Sequence, residues 1–563
     1  MTDRLAIAIA QLNPTVGDLD GNAERILAAW ETGARLGADL VVTPELSICG
    51  YPPEDLVLKR AFRRACRQAL ERIAARLEAA GEGPALAVGL PLEGEAGAIH
   101  NVCVVLDRGE IIGRATKREL PNYGVFDEKR VFTPGDAAVP IRVRGVSLGL
   151  MICEDMWFPH VAAELATAGA DLLVAVNGSP FEIDKHAERV EVVRRRTAET
   201  GLALAFVNQV GGQDELLFDG ASFIGNPDGG VARRLPAFVE HVAISRWRRA
   251  DAGAALFCEE AADPGWEEGT PAIYRALMLG LRDYVEKNGF PGVLLGLSGG
   301  IDSALTATLA VDALGAERVW TVMMPSPYTS RESLEDAAAL AERLGVRHET
   351  VSIEGGMQAA DAALRPLFDD LPPDETEENI QARLRGLYLM ALSNKFGRMV
   401  LSCGNKSEIS VGYATLYGDM VGGFTPLKDV YKTLVYKLAR WRNEGHPQGA
   451  LGPATAPVPE RFLTKAPSAE LRPGQTDQDT LPPYEVLDDI LHGFVEEALG
   501  FDDIVARGHD PATVARVERM LYASEYKRRQ AAPGIKITRK SFTRDRRYPI
   551  TNAFLSAREG ALR

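Results

Sequence analysis

A chain of 563 residues is too long for one ordinary core, and its length predicts roughly two to four domains. Its 46% hydrophobic and 25% charged residues are the balance of a soluble globular protein, no apolar run reaches the length of a membrane span, and the start MTDRLAIAIAQLNPTVGD lacks the basic region and cleavage site of a signal peptide, so a cytoplasmic protein without a membrane partner is expected. A formal charge of −15 disfavours nonspecific binding to nucleic acid or to an anionic membrane. Six scattered cysteines (Cys49, Cys66, Cys103, Cys153, Cys258, Cys403), with no CxxC pair and no His at metal spacing, indicate neither a zinc site nor a disulfide framework.

Residues 1–250 alternate short apolar strands with helical stretches, which predicts an α/β domain. LAIAIAQLNP, ADLVVTPEL, PALAVGLPL, HNVCVVLDRG, VSLGLMICED, ADLLVAVNGSP and LALAFVNQVG read as strands, several ended by Pro, Gly or Asn. GNAERILAAWETGARLG and AERVEVVRRRTAETG read as helices, the second closed by Gly201. Three segments of this half carry chemistry. Cys153 ends an apolar strand in GLMICEDMWF, Glu45 ends another in VVTPELSICGY, and Lys117 sits in a polar turn after a third in IIGRATKRELPNYGVF. Glu45 suits the general base that takes the thiol proton, Cys153 the nucleophile at a carboxamide carbon, and Lys117 the stabiliser of the oxyanion. In this order the segments resemble the nitrilase superfamily over roughly residues 3–245. The resemblance implies an α-β-β-α sandwich and, in its glutaminase branch, a glutamine pocket from Tyr51, Tyr123, Phe126, Glu128, Ser179 and Lys185, with Glu128 orienting the triad.

Residues 251–271, small and acidic, read as a linker. Residues 272–563 then form a second α/β domain. A helix, AIYRALMLGLRDYVEKNG, and the strands GVLLGL, RVWTVMMP and RHETVSI predict a doubly wound parallel sheet with its ligand at the strands' carboxyl ends. The segment 446–483, rich in Pro, Gly and Thr, predicts an ordered substrate-covering loop more than a helix or strand.

After the first of those strands comes Gly296-Leu297-Ser298-Gly299-Gly300-Ile301-Asp302-Ser303. Its glycines let successive amides point at one anion, the following helix adds its positive end, and Ser298 and Ser303 can donate hydroxyls. Asp302 beside phosphate oxygens would be repulsive without a cation between them, and Mg²⁺ prefers carboxylates plus phosphates. SGGxDS resembles the pyrophosphate loop of the N-type ATP pyrophosphatases, which explains the absence of a Walker lysine: ATP gives up its adenylyl part and pyrophosphate leaves.

The whole chain is similar to the glutamine-dependent NAD synthetases. That resemblance implies the substrates deamido-NAD, ATP and L-glutamine, an adenine nucleotide α-hydrolase-like second domain, and a homo-oligomer built through it. It places Met324 and Ser326 on the adenosine side, and Asn379, Gln381 and Arg383 in a segment that reaches the deamido-NAD of a partner subunit. From SCGNKSEISVGYATLYGDMVGGFTPLKDVYK it takes Glu408 to complete the magnesium site with Asp302, and Asp419 and Lys432 as contacts to substrate or ATP phosphates. Lys527 belongs to the deamido-NAD side, and 467–488 to a loop over the site. Cys403 stands where the family has Thr, so it is expected to serve ATP through its backbone. The nine Lys or Arg between Lys527 and Arg547 read either as a solvated tail or as a surface for a polyanion, and a dinucleotide ligand fits the second reading. Two other enzymes use related parts, an amidotransferase with another carboxylate acceptor and a tRNA-modifying enzyme; the acidic charge argues against the second.

Overall fold

Alternation of apolar side chains decides how the first half is layered. In a computed structural model, which describes residues 4–249, 255–259, 265–369 and 371–556, the chain divides into two units, Met1–Glu268 and Gly269–Arg563. The first holds a seven-stranded sheet in the spatial order Leu256–Cys258, His241–Arg249, Arg4–Gln11, Leu40–Val42, Ala85–Glu93, Ile99–Asp107, Glu110–Thr116. A six-stranded sheet runs Val231–Arg234, Phe223–Gly225, Leu204–Asn208, Leu172–Asn177, Val146–Ile152, Ile141–Val143. Leu5, Ile7 and Ile9 of one sheet meet Leu148, Leu150 and Ile152 of the other in a common core. The alternate residues face outward: Ala8, Val41 and Leu86 pack on the helices Leu19–Arg35 and Arg60–Ala80, and Met151, Leu173 and Phe206 on Pro159–Thr167 and Lys185–Thr200. The period of two thus produces the α-β-β-α sandwich, each sheet buried on both faces.

Strand direction places the site. Ala85–Glu93 is parallel to Leu40–Val42, and two antiparallel steps through Ile99–Asp107 restore that direction in Glu110–Thr116. Glu45 and Lys117 therefore leave the sheet at one edge. In the second sheet Val146–Ile152 and Leu172–Asn177 are parallel, so Cys153 and Gly178 also share an edge. Gly89 permits the close crossing of the Glu45–Leu46 turn, since a Cβ there would lie 2.4 Å from the Leu46 nitrogen.

The second unit is built on four parallel strands ordered Arg347–Thr350, Val319–Met323, Val293–Gly296, Met399–Val400. Chain order reverses between the last two, so the loops after Val293–Gly296 and Met399–Val400 open a crevice at their carboxyl ends. Every residue of the helix Ile301–Leu314 except Asp302 is buried, which makes it the central element of this unit. A smaller helical cluster, with Tyr484–Val495, Phe501–Ala506 and Pro511–Ala523, packs around Ile409 and Val411.

Two expectations are corrected and one is refined. Within 251–271, Leu256–Cys258 is hydrogen-bonded to His241–Arg249 as an edge strand, because Leu256 and Cys258 bury on the inner core, and the next helix starts at Thr270; residues 250–254 and 260–264 lie outside the described residues. The segment 446–483 is irregular over most of its length, as expected, and carries only the short helix Glu460–Thr464, anchored by buried Phe462 and Leu463, and a 3-10 turn at Asp477–Asp479. The basic C-terminal run is not a ligand-facing surface as a whole: Arg528 and Arg546 are buried on Glu525, and buried Lys536 pairs with Asp545. Those charges hold the chain end to its own domain.

Candidate active sites

In the first unit Lys117 and Glu45 are fully buried, and the Lys117 ammonium donates to Glu45 Oε1 at 2.7 Å and to Glu128 Oε1 at 2.8 Å. Burial works against the lysine charge, but Glu128 and Glu45 together outweigh it and hold the ammonium well above its ordinary value. Glu45 is fixed from three sides: Asn101 Nδ2 donates to Oε1 at 2.7 Å, the Gly178 amide to Oε2 at 2.9 Å, and Lys117 completes the set. Burial pushes Glu128 up to about 7 against the pull of Lys117, and the Tyr51 hydroxyl donates to it at 2.7 Å. Tyr51 therefore acts here as a support for Glu128.

Cys153 follows its strand in a left-handed turn with φ 48°, which aims the side chain out of the sheet edge. Burial first, then Glu45, pushes its thiol well above the ordinary value. The resting sulfur is thus neutral and needs a base at the moment of attack. Asp155 joins the two halves of the site by accepting from the amide of Ile152 at 2.9 Å on one oxygen, and from those of Arg118 and Glu119 at 2.9 and 2.8 Å on the other.

Around this cluster the Tyr123 hydroxyl donates to Glu154 at 3.0 Å, the Tyr123 ring meets Phe126 edge-on at 5.7 Å, and Lys185 Nζ pairs with Glu188 at 3.1 Å and lies 4.6 Å from the Trp157 ring centre. Ser179 is buried beside Gly178. Asn101, Asp155 and Glu154 hydrogen-bond directly to the candidate residues or their neighbours and were not singled out in the sequence. A lone Asn in the apolar strand HNVCVVLD and the two acids after Cys153 were the available signals.

In the second unit a cleft of about 1230 Å³ is lined by all of Gly296–Ser303 and by Met324, Asn379, Gln381, Cys403, Glu408, Asp419, Lys432 and Lys527. Ser326 and Arg383 lie outside that lining: Ser326 caps its own turn through Thr329 and Tyr328, and Arg383 donates to the Leu416 carbonyl at 3.2 Å. Gly299, at φ 83°, passes so close to the next helix that a Cβ would lie 2.7 Å from Ser333 Cβ. Ser303 Oγ accepts from the Ser298 amide at 3.2 Å and donates to the Gly300 carbonyl at 2.9 Å, which folds the loop over the start of Ile301–Leu314.

Lys432 is nearly buried between two carboxylates, in contact with Asp302 and 2.9 Å from Glu408 Oε1. Burial pushes Glu408 up to about 7 while Lys432 pulls it down. Asn405, missed in the sequence, donates to Asp302 Oδ1 at 2.8 Å and caps the helix Lys406–Val411 by accepting from the Glu408 amide at 3.0 Å. Its signal was an Asn three residues before Glu in GNKSE, a capping spacing. Lys527 Nζ donates to the carbonyls of Gly412 and Ala414 at 2.8 and 2.7 Å, and Asp419 accepts from the Thr415 amide at 2.7 Å, so these two order the segment between them. The covering loop is fastened by Glu470, which accepts from Ser330 Oγ and Ser333 Oγ at 2.8 Å each, and by Gln381 donating to the Leu471 carbonyl at 2.9 Å. Cys403 is half-buried on the cleft, and burial pushes its thiol up to about 12; the sulfur lies 4.0 Å from the Gly296 carbonyl.

Known proteins match both halves. A family described as carbon-nitrogen hydrolase matches residues 6–255, and one described as NAD synthase matches residues 273–531. The glutamine-dependent NAD(+) synthetase of Rhodobacter capsulatus is 53% identical over 559 residues, covering 98% of this chain and 99% of that protein. Its counterpart in Xanthomonas campestris pv. campestris (strain 8004) is 49% identical over 558 residues, covering 98% of each. The solved structure of glutamine-dependent NAD+ synthetase from Acinetobacter baumannii in complex with ADP gives a TM-score of 0.77 at 42% identity, covering 98% of this chain and 99% of that one. Full-length identity of this order, over a sandwich with a Glu45-Lys117-Cys153 edge and a parallel sheet with a glycine-loop cleft, places the chain in the glutamine-dependent NAD(+) synthetase family.

Proposed function

We propose that the chain releases ammonia from glutamine at Cys153 and uses it to amidate the carboxylate of deamido-NAD, with ATP as activator, giving NAD, glutamate, AMP and pyrophosphate. The observation that carries the glutaminase half is the buried Lys117 ammonium shared by Glu45 and Glu128, with Cys153 of the facing sheet close enough for both Glu45 and Lys117 to act on its thiol. Glu45 takes the thiol proton as Sγ attacks the carboxamide carbon, and Lys117 stabilises the oxyanion. Collapse breaks the C–N bond, the Glu45 proton leaves with ammonia, and a γ-glutamyl thioester remains. Water, deprotonated by Glu45, then attacks the thioester; glutamate departs and the thiol regains its proton. Tyr123, Phe126, Ser179 and Lys185 would line the pocket for the glutamine head group, with Tyr51 and Glu128 behind the triad.

In the second unit a carboxylate oxygen of deamido-NAD attacks the α-phosphorus of ATP, and pyrophosphate leaves into the loop Ser298–Ser303. Ammonia attacks the acyl carbon of the adenylate and AMP departs. Asp302 and Glu408 fit a magnesium ion, because both carboxylates converge on one cation, Lys432. Among the described residues no set of three protein ligands occurs, so phosphate oxygens and water would complete the shell. When bound, the ion would neutralise charge on the departing pyrophosphate. Met324 and the backbone of Cys403 would face ATP; Asn379, Asp419, Lys432 and Lys527 would contact substrate. Arg383 and Ser326 would act from outside the cleft, Arg383 toward a partner subunit.

Self-association through the second unit is supported by exposed Leu367, Leu387 and Phe396 on the helices Glu354–Phe368 and Glu375–Phe396. No helix among the described residues is long and apolar enough to cross a membrane; the reading is of a cytoplasmic enzyme. The test is NAD formation from deamido-NAD, ATP and Mg²⁺ with glutamine or ammonium chloride. Cys153→Ala is expected to lose the glutamine-supported reaction and keep the ammonium-supported one. Retention of both would refute the thiol's role, and no NAD from the wild type with either nitrogen source would refute the acceptor.

A further inference from the structure

Arg189 lies in the helix Lys185–Thr200, is wholly buried, and spends every nitrogen of its guanidinium on one corner of the first unit. Nη1 donates to both oxygens of Asp219 at 2.8 Å, Nη2 to the carbonyls of Ser179 at 2.9 Å and Pro180 at 2.6 Å, and Nε to Ser179 Oγ at 3.1 Å. Asn208 holds the same residue from the other side, accepting from the Ser179 amide at 2.9 Å and donating to its carbonyl at 3.1 Å. The neighbouring amide, Gly178, is the one that holds Glu45. A buried charge fixed this fully has a high desolvation cost that a lone packing role does not require.

The chemical consequence lies at the Ser179 hydroxyl. A hydroxyl has one proton and two acceptor lone pairs. Because Arg189 has only protons to offer, it occupies a lone pair, and the Ser179 proton must point elsewhere. We infer that Arg189 is a positioning residue that makes Ser179 a hydrogen-bond donor toward the substrate pocket, and so selects amides that carry an α-carboxylate. The inference rests on the proposed reading that Ser179 faces the glutamine head group. A carboxylate accepts and never donates, so a serine fixed as donor favours it over a neutral amide whose N–H₂ also seeks acceptors.

The test is carried out on the full chain with Arg189→Gln, measuring glutamate release from L-glutamine and turnover of L-glutaminamide, in which a carboxamide replaces the α-carboxylate. The expected result is a rise of about tenfold or more in KM for glutamine with kcat within about twofold, and little change in KM for glutaminamide. The rate of Cys153 alkylation by iodoacetamide, which needs the nucleophile and not the head-group pocket, stays at the wild-type value. In a Ser179→Ala background the same substitution adds no further rise in KM, since its effect passes through that hydroxyl. Equal losses with both substrates and with iodoacetamide would reduce Arg189 to a structural residue and overturn the inference. If Ser179→Ala alone leaves KM for glutamine unchanged, the pocket reading falls and the inference with it; if it raises KM while Arg189→Gln does not, the inference falls alone. Should Arg189→Gln not fold, Arg189→Lys keeps the charge for Asp219 but cannot reach Ser179 Oγ as well, and is expected to show the same glutamine-selective rise in KM. An unchanged KM in that variant counts against the inference.

Discussion

Each unit places one lysine between two carboxylates, and the two clusters differ in how closed they are. Lys117 with Glu45 and Glu128 is sealed, the side chains at most 7% exposed. Around Lys432, Asp302 and Glu408 are 16% and 17% exposed and open on the cleft. In the sealed cluster one ammonium is held between two carboxylates away from water, and chemistry needs only proton movement within hydrogen-bond reach. The open cluster holds the same charge pattern in a form that phosphates and a divalent ion can enter, with Lys432 keeping the two acids paired until they do.

The largest expected separation comes from removing the lysines. Lys117→Met should lower glutamine-supported turnover by at least about 10³-fold, leave ammonium-supported turnover intact, and destabilise the first unit by about 3–5 kcal/mol in denaturant unfolding, because two buried carboxylates lose their counter-charge. Lys432→Met should lower turnover with both nitrogen sources and destabilise its unit less, since its acids retain access to water. Equal destabilisation by the two substitutions would remove the distinction between sealed and open clusters. Next in size, Asp302→Asn should slow pyrophosphate release about 10²-fold and cancel the thermal shift that Mg²⁺ with ATP gives the wild type, with glutamate release unaffected.

A third effect reads the sealed cluster alone, through the pH dependence of glutamate release. Glu128 is pushed up to about 7, so it gains a proton as pH falls through that value and no longer counters Lys117. Glutamate release measured without deamido-NAD should therefore fall below about pH 7, and Glu128→Gln, fixed in the neutral state, should lose that limb at a rate about tenfold lower. A profile unchanged by the substitution would assign the limb elsewhere. The smallest effect concerns the cleft alone: Cys403→Thr restores a hydroxyl and should lower KM for ATP about threefold, one modest hydrogen bond.

Much of both sites was legible because it lies where local sequence and chain order act together. Glu45 and Cys153 end buried strands, and Gly299 sits in a turn between strand and helix; those placements follow from apolar runs and glycine alone. Asn101, Asp155 and Asn405 were not legible. Each serves a partner distant in sequence, 56 residues for Asn101 and Glu45 and 103 for Asn405 and Asp302, and a polar residue's partner is set by how sheets stack. The basic run near the chain end misled for the same reason: charge counts do not distinguish Lys527 on the cleft from Arg528, one residue on, buried on Glu525.

By itself the sequence determined the two α/β halves and put Glu45, Lys117, Cys153 and the glycine loop just beyond strand ends. Apolar periodicity and turn residues act over a few positions, and family-like motifs preserve them in order. Only the tertiary structure decided that Lys117 is shared by Glu45 and Glu128, that Leu256–Cys258 belongs to a sheet, and that buried Arg189 spends its guanidinium on Ser179, Pro180 and Asp219. Those outcomes depend on which strand edges meet and which charges become buried together, and burial is a property of the packed chain that no single segment carries.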